Sequence, residues 1–122
     1  LPMSIYQTKL RAFEQRTVDF SVSVINQCGE YNKVPTLKPV IEQLIKSATR
    51  IGANYAEANN ASSRIDFKNK IYIAKKEAAE TRYWLRVLSE LLPSEDFSKL
   101  QQEVLEFNLI LQKIISTMKN GK

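Results

Sequence analysis

Apolar residues recur along this chain at alternating steps of three and four, the spacing that gathers them on one face of a helix, in four successive stretches. The first, Ser4 to Cys28, carries Tyr6, Leu10, Phe13, Thr17, Phe20 and Val24. It breaks at Gly-Glu-Tyr-Asn-Lys-Val-Pro, where Gly29 can stop a helix and Pro35 cannot continue one. The second starts near Thr36 and runs to about Asn59, with Ile41, Leu44, Ala48, Ile51 and Tyr55 as its stripe. Asn59, Asn60, Ser62 and Ser63 then punctuate the chain. Ser63 with Asp66 three residues later reads as a capping box opening the third stretch, whose stripe is Phe67, Ile71, Ala74, Ala78, Thr81, Leu85, Leu88 and Leu92. Pro93 ends it. Ser94 is expected to cap the fourth stretch, with Glu95 and Asp96 at the positive end of its dipole. That stretch carries Phe97, Leu100, Val104, Phe107, Leu111, Ile114 and Met118, and its Asn-Gly-Lys tail is expected to fray. Short connections between four long amphipathic segments predict an all-α, up-down-up-down antiparallel four-helix bundle, one domain over residues 1–122. An open three-helix array with a swapped fourth helix is the alternative.

The middle of the chain departs from an ordinary bundle pattern. Between residues 44 and 88, Gly52, Ala53, Ala56, Ala58, Ala74, Ala78 and Ala79 stand where Leu and Ile would be usual, beside Asn54, Glu57, Glu77 and Glu80. Small residues let helix backbones approach, and embedded polar groups then need partners. Arg50, Asn54 and Glu57 share one helical stripe, and Glu77 and Glu80 can face them from the third helix. These five residues are expected to form a structural polar network in preference to a carboxylate acid/base or hard-metal site. Trp84 lies on an arc with Ile73 and Leu91 that adjoins the core stripe, so the apolar surface of the third helix is wider than one core requires. Ile73, Trp84 and Leu91 are therefore expected at an oligomer interface, with core packing as the alternative for Trp84.

Composition narrows the chemistry. Only three Gly and four Pro in 122 residues suit long helices. The chain has no histidine, which removes the commonest general base, the Ser-His and Cys-His pairs and the Glu-x-x-His motifs of di-iron bundles. No Gly-rich phosphate loop is present, and a zinc site would lack both His and enough Cys. The expectation is a non-enzyme with no metal and no cofactor. Cys28, the one cysteine, reads as a small buried apolar residue in a reducing, cytoplasmic setting. No apolar run is long enough to span a membrane, no secretory signal is apparent, and Met3 reads as the natural start.

The net charge of +5 points to an acidic partner, and its distribution sharpens the point. Residues 33–86 hold eleven Lys/Arg against five Asp/Glu. At about 100° per residue, Lys68, Lys75, Arg82 and Arg86 fall within an arc of about 40° that spans about 27 Å of the third helix, with Tyr72 beside it. This arc is the candidate nucleic-acid-binding surface. The competing reading is a solvated face.

Three segments also carry a family resemblance: Gln43–Ala58 (QLIKSATRIGANYAEA), Ser62–Phe67 (SSRIDF) and Lys76–Leu85 (KEAAETRYWL). They resemble the bacterial four-helix-bundle family that includes the proteins encoded by intervening sequences in 23S ribosomal RNA genes. Many members have Ala-Glu-Gly where this chain has Ala56, Glu57 and Ala58, and Gly-Ser where it has Lys76 and Glu77, which suggests another branch. The resemblance implies a four-helix bundle, ring-shaped homo-oligomers (pentamers in some relatives) and a basic surface that meets nucleic acid. A related group, the accessory protein of diversity-generating retroelements, works with a reverse transcriptase and RNA. Those become the partners the resemblance implies. The functional expectation is a non-enzymatic oligomeric nucleic-acid-binding helper, RNA before DNA, against a protein-interaction scaffold with no nucleic-acid role.

Overall fold

A computed structural model describes residues 4–121. The readings of Met3 as the start and of Lys122 as part of a frayed tail lie outside them. Four helices make up the chain: α1 Ile5–Cys28, α2 Lys38–Asn59, α3 Arg64–Leu91 and α4 Ser98–Gly121. Each packs against its sequence neighbours, and α4 closes back on α1. Contacts run antiparallel throughout. Thr17 meets Gly52 and Phe13 meets Tyr55 between α1 and α2, Arg50 meets Glu77 and Glu57 meets Lys70 between α2 and α3, and Arg64 at the start of α3 reaches the Met118 carbonyl near the end of α4. The all-α antiparallel four-helix bundle expected from the pattern is the fold.

The core is the set of stripes read from the sequence. Phe13, Phe20, Val24, Ile41, Leu44, Ile51, Ile71, Leu85, Leu88, Val104, Phe107 and Leu111 are all buried in it. Two ends deviate. Tyr6 is exposed, because α1 begins before the bundle closes around it. On α4, Ile115 rather than Ile114 enters the core, a drift of one position that 3.6 residues per turn imposes on a strict heptad.

The helix ends follow local chemistry, with several departures from expectation. Ser4 and Gln7 form a reciprocal capping box on α1 that the pattern alone did not single out. Ser63 accepts from the Asp66 amide at 3.0 Å, but only that half of the box forms, since the Asp side chain is one methylene shorter than the Glu or Gln the reciprocal bond uses. Gly29 does not stop the chain in a left-handed conformation. It keeps helical φ and ψ, and the chain tightens into a 3-10 helix over Gly29–Lys33 before Pro35. Ser94 does not cap α4. The helix begins four residues later, the Asp96 carboxylate accepts from the Ser98 amide at 2.9 Å, and hydrogen bonds from the Ser98 side chain and then its amide hold that carboxyl below its usual range. At the other end α4 continues through Asn120 and Gly121.

The two halves of the bundle are joined differently. On the α1–α2 side, Gly52 permits close approach: a Cβ there would stand 2.7 Å from the Thr17 Cβ. Between α1 and α4 the join is made by large side chains. Phe107 takes Phe13 and Phe20 edge-on at 5.4 and 5.2 Å, and Arg16 grips Glu103 and Glu106 at 2.6 and 3.0 Å.

Candidate nucleic-acid interface

α3 is the longest helix, at 28 residues, and its buried stripe separates two exposed edges of different character. The edge facing α2 is internally satisfied. Arg50 Nε lies 3.0 Å from Glu77 Oε2, and Lys70 Nζ lies 2.9 Å from Glu57 Oε1. Lys70, by hydrogen bond and charge, holds the Glu57 carboxyl below its usual range. Beneath these pairs, fully buried Thr81 and Ser47 place their hydroxyl oxygens 2.9 Å apart, with the Glu77 carbonyl 2.8 Å from Thr81 Oγ1 and the Leu44 carbonyl 3.2 Å from Ser47 Oγ.

This arrangement revises the network expected from sequence. Arg50 pairs with Glu77 as anticipated, but Glu57 takes Lys70 rather than Arg50. The reason is that Arg50 leans toward α3 while Glu57 stands about two turns nearer the start of that helix. Asn54 is buried, yet its amide donates to the Arg50 backbone carbonyl at 2.9 Å instead of joining the carboxylates. Glu80 is exposed and belongs to no ion pair among the described residues. The Ser47–Thr81 bond was not anticipated. Thr81 already stood on the core stripe, and its hydroxyl was the signal that a partner had to face it.

The edge facing α4 is the opposite case. Lys68, Arg82 and Arg86 are exposed and Lys75 is half-buried. Among the described residues none of the four has a carboxylate within ion-pair distance; the ion pairs present take Arg16, Arg50 and Lys70 instead. Across from Arg82 and Arg86, α4 presents amides and a hydroxyl. Arg82 and Arg86 join Ser98, Gln101, Gln102 and Leu105 in lining a cleft of about 350 Å³ between the two helices. The structure thus brings the predicted cations onto one continuous edge and leaves their charge uncompensated.

The predicted interface residues divide. Trp84 is half-buried and packs against the core of its own bundle, where its indole N–H is buried with no acceptor. Ile73 is also half-buried, and Leu91 is 51% exposed. Another apolar surface lies elsewhere and was missed. Val18, Val22 and Ile25 stand exposed along the outer side of α1, beside Ala53 and Ala56 of α2. Their steps of four and three were legible in the sequence, but one turn-face away from the stronger core stripe.

The remaining chemistry is structural. Cys28 is fully buried, and burial, with some help from Glu95, pushes its thiol up to about 11, so it stays protonated at neutral pH. Among the described residues no three Asp, Glu or Cys side chains converge as a metal site would require. Nor is any helix of those residues long and apolar enough to cross a membrane.

The sequence profile of the 23S rRNA-intervening sequence protein family matches residues 10–113. The chain belongs to that family. Among solved structures it is similar to a protein of unknown function from the S23 ribosomal protein family of Bacteroides thetaiotaomicron, determined at 1.70 Å resolution. The two share 34% identity with a TM-score of 0.77, over 84% of this chain and 96% of that one. No curated protein matches. The segments that carry the family resemblance, Gln43–Ala58 and Lys76–Leu85, are in this 23S rRNA-intervening sequence family member the two faces of the α2–α3 contact. Ala48, Ala58, Ala74 and Ala78 are buried between the helices, and the Ser47–Thr81 bond stitches them.

Proposed function

We propose that the protein is a non-enzymatic, oligomeric nucleic-acid-binding helper, RNA before DNA, that meets phosphates through Lys68, Lys75, Arg82 and Arg86. The observation that carries this reading is the charge asymmetry of α3. One edge neutralises its cations within the bundle, while the other aligns four over about 27 Å with none neutralised. The family's name, which ties it to an intervening sequence of 23S rRNA, supports RNA as the first ligand to try. Assembly is part of the proposal. The exposed strip of Val18, Val22 and Ile25 suits burial against a second copy, and a ring, pentameric as the resemblance implies, would repeat the basic edge and add its contacts by avidity.

The same apolar strip favours one other reading, a protein-interaction scaffold whose basic edge is only solvated. Oligonucleotide binding measured as salt rises separates the two. Phosphate contacts release counterions, so affinity should fall steeply with salt. Changing Lys75 and Arg82 together to Glu should weaken binding and lower the log–log salt slope by about two, with helicity and oligomer mass unchanged. A double variant that binds as tightly as the parent at every salt concentration would leave the scaffold reading in place.

A further inference from the structure

The basic edge of α3 carries a second row of side chains that phosphate contact does not explain. Tyr72 and Tyr83 are 37% and 59% exposed, although a tyrosine ring is costly to leave in water. They stand eleven residues apart, about three turns or 16.5 Å, and at nearly the same azimuth, so they form a line parallel to Lys68, Lys75, Arg82 and Arg86. Between the two rings the helix presents exposed Ala79 on one side of that line and exposed Lys76 on the other.

Each ring has a local support. Lys68 Nζ stands 5.9 Å from the Tyr72 ring centroid, so a cation and an aromatic face are paired at that position. Tyr83 meets Trp84 edge-on, at 5.0 Å between centroids and 77° between planes, and Trp84 is itself packed on the core. A ring steadied by a packed neighbour loses little freedom when something stacks on it. Beside Tyr83, the cleft lined by Arg82, Arg86, Ser98, Gln101 and Gln102 offers guanidinium, hydroxyl and amide groups within one depression.

A duplex would make poor use of this second row. Its bases are sealed in the stack, its backbone needs only cations, and a ring on the helix surface would meet sugar and phosphate. Unpaired bases offer π-faces, and an aromatic row beside a cationic row is the arrangement that takes single strands without regard to sequence. We propose that this edge takes single-stranded rather than duplex nucleic acid, with unpaired bases stacking on Tyr72 and Tyr83 while the four cations follow the backbone. The track closes at Glu90, one turn beyond Arg86, where an exposed carboxylate would repel a continuing backbone. The inference rests on the nucleic-acid reading of the same edge and adds to it the strandedness of the ligand.

The test compares a fluorescently labelled oligouridine of about a dozen nucleotides with an RNA duplex of the same length at one salt concentration. The parent should bind the single strand at least about ten-fold more tightly. Tyr72→Ala and Tyr83→Ala should each weaken single-strand binding by roughly five- to a hundred-fold, the worth of one stacked base, and leave duplex binding unchanged. Tyr72→Phe keeps the ring and should bind like the parent. Circular dichroism of each variant confirms that the helices remain. If Tyr72→Ala and Tyr83→Ala together leave single-strand affinity within about two-fold of the parent while reversal of Lys75 and Arg82 abolishes it, strandedness is misassigned and the phosphate reading survives. Equal affinity of the parent for the two oligonucleotides overturns the inference in the same way. Absence of salt-dependent binding to either oligonucleotide overturns both.

Discussion

The two edges of α3 are built from similar residues and end in opposite electrostatic states. Toward α2, Lys70 and Arg50 meet Glu57 and Glu77, and buried hydroxyls bond beneath them. Toward α4, Arg82 and Arg86 line a cleft with Ser98, Gln101 and Gln102, which can hydrogen-bond but cannot neutralise, and Lys68 and Lys75 continue the same arc without an ion pair among the described residues. The contrast separates two uses of surface charge. A cation paired across a helix interface positions that interface, and a cation facing amides keeps its field for something outside the molecule. Composition alone does not tell the lysines and arginines of one edge from those of the other. Only the neighbouring helix decides which of them is left over.

The largest expected effect comes from swapping sign on each edge separately. Lys75→Glu should lower oligonucleotide affinity by roughly ten-fold at low salt, whereas Lys70→Glu should change it by less than about two-fold, both measured by fluorescence anisotropy. Equal losses would erase the distinction between the edges.

Next in size is the buried hydroxyl pair on the α2 side. Thr81→Val removes a hydrogen-bond partner from fully buried Ser47 and should cost about 1–2 kcal/mol in urea unfolding. Adding Ser47→Ala should bring back part of that loss, because no buried hydroxyl then lacks its cross-helix partner. Strict additivity of the two substitutions would mean that the hydroxyls do not interact.

The smallest effect concerns the exposed ion pair. Lys70 lowers the Glu57 carboxyl, so the folded state favours the ionised form. That contribution is present above the usual carboxylate range and is lost as pH falls through the lowered value. Parent and Lys70→Met should therefore differ slightly in stability at neutral pH and converge in acid, with the neutral difference shrinking in high salt. A difference that grew on acidification would contradict the pairing.

Much of this was legible in the chain. The helix count, the core stripes and the basic edge all follow from periodicity, because an amphipathic helix must bury its apolar face wherever the neighbour lies. Partner choice was harder. Glu57 and Arg50 share a stripe within α2, yet the stagger between α2 and α3 puts Lys70 beside one and Glu77 beside the other. Such a stagger depends on how closely Ala74 and Ala78 let the helices approach, which spacing along one helix does not encode. The start of α4 was displaced for a similar reason. Ser94 has the right chemistry for a cap, but the turn after Pro93 carries the chain on until the Asp96 carboxylate meets the Ser98 amide. The exposed strip of Val18, Val22 and Ile25 was hidden by the stronger stripe next to it on α1.

Lysine footprinting addresses the asymmetry of α3 most directly. The protein would be acetylated lightly with and without a saturating single-stranded RNA, and modification at each lysine read by mass spectrometry. Lys68 and Lys75 should be protected by the RNA, while Lys70, on the same helix and between them in sequence, should be modified to the same extent in both samples. Protection of Lys70 equal to that of Lys68 and Lys75, or no protection of any of the three at saturation, would contradict the assignment of the α4-facing edge as the binding surface.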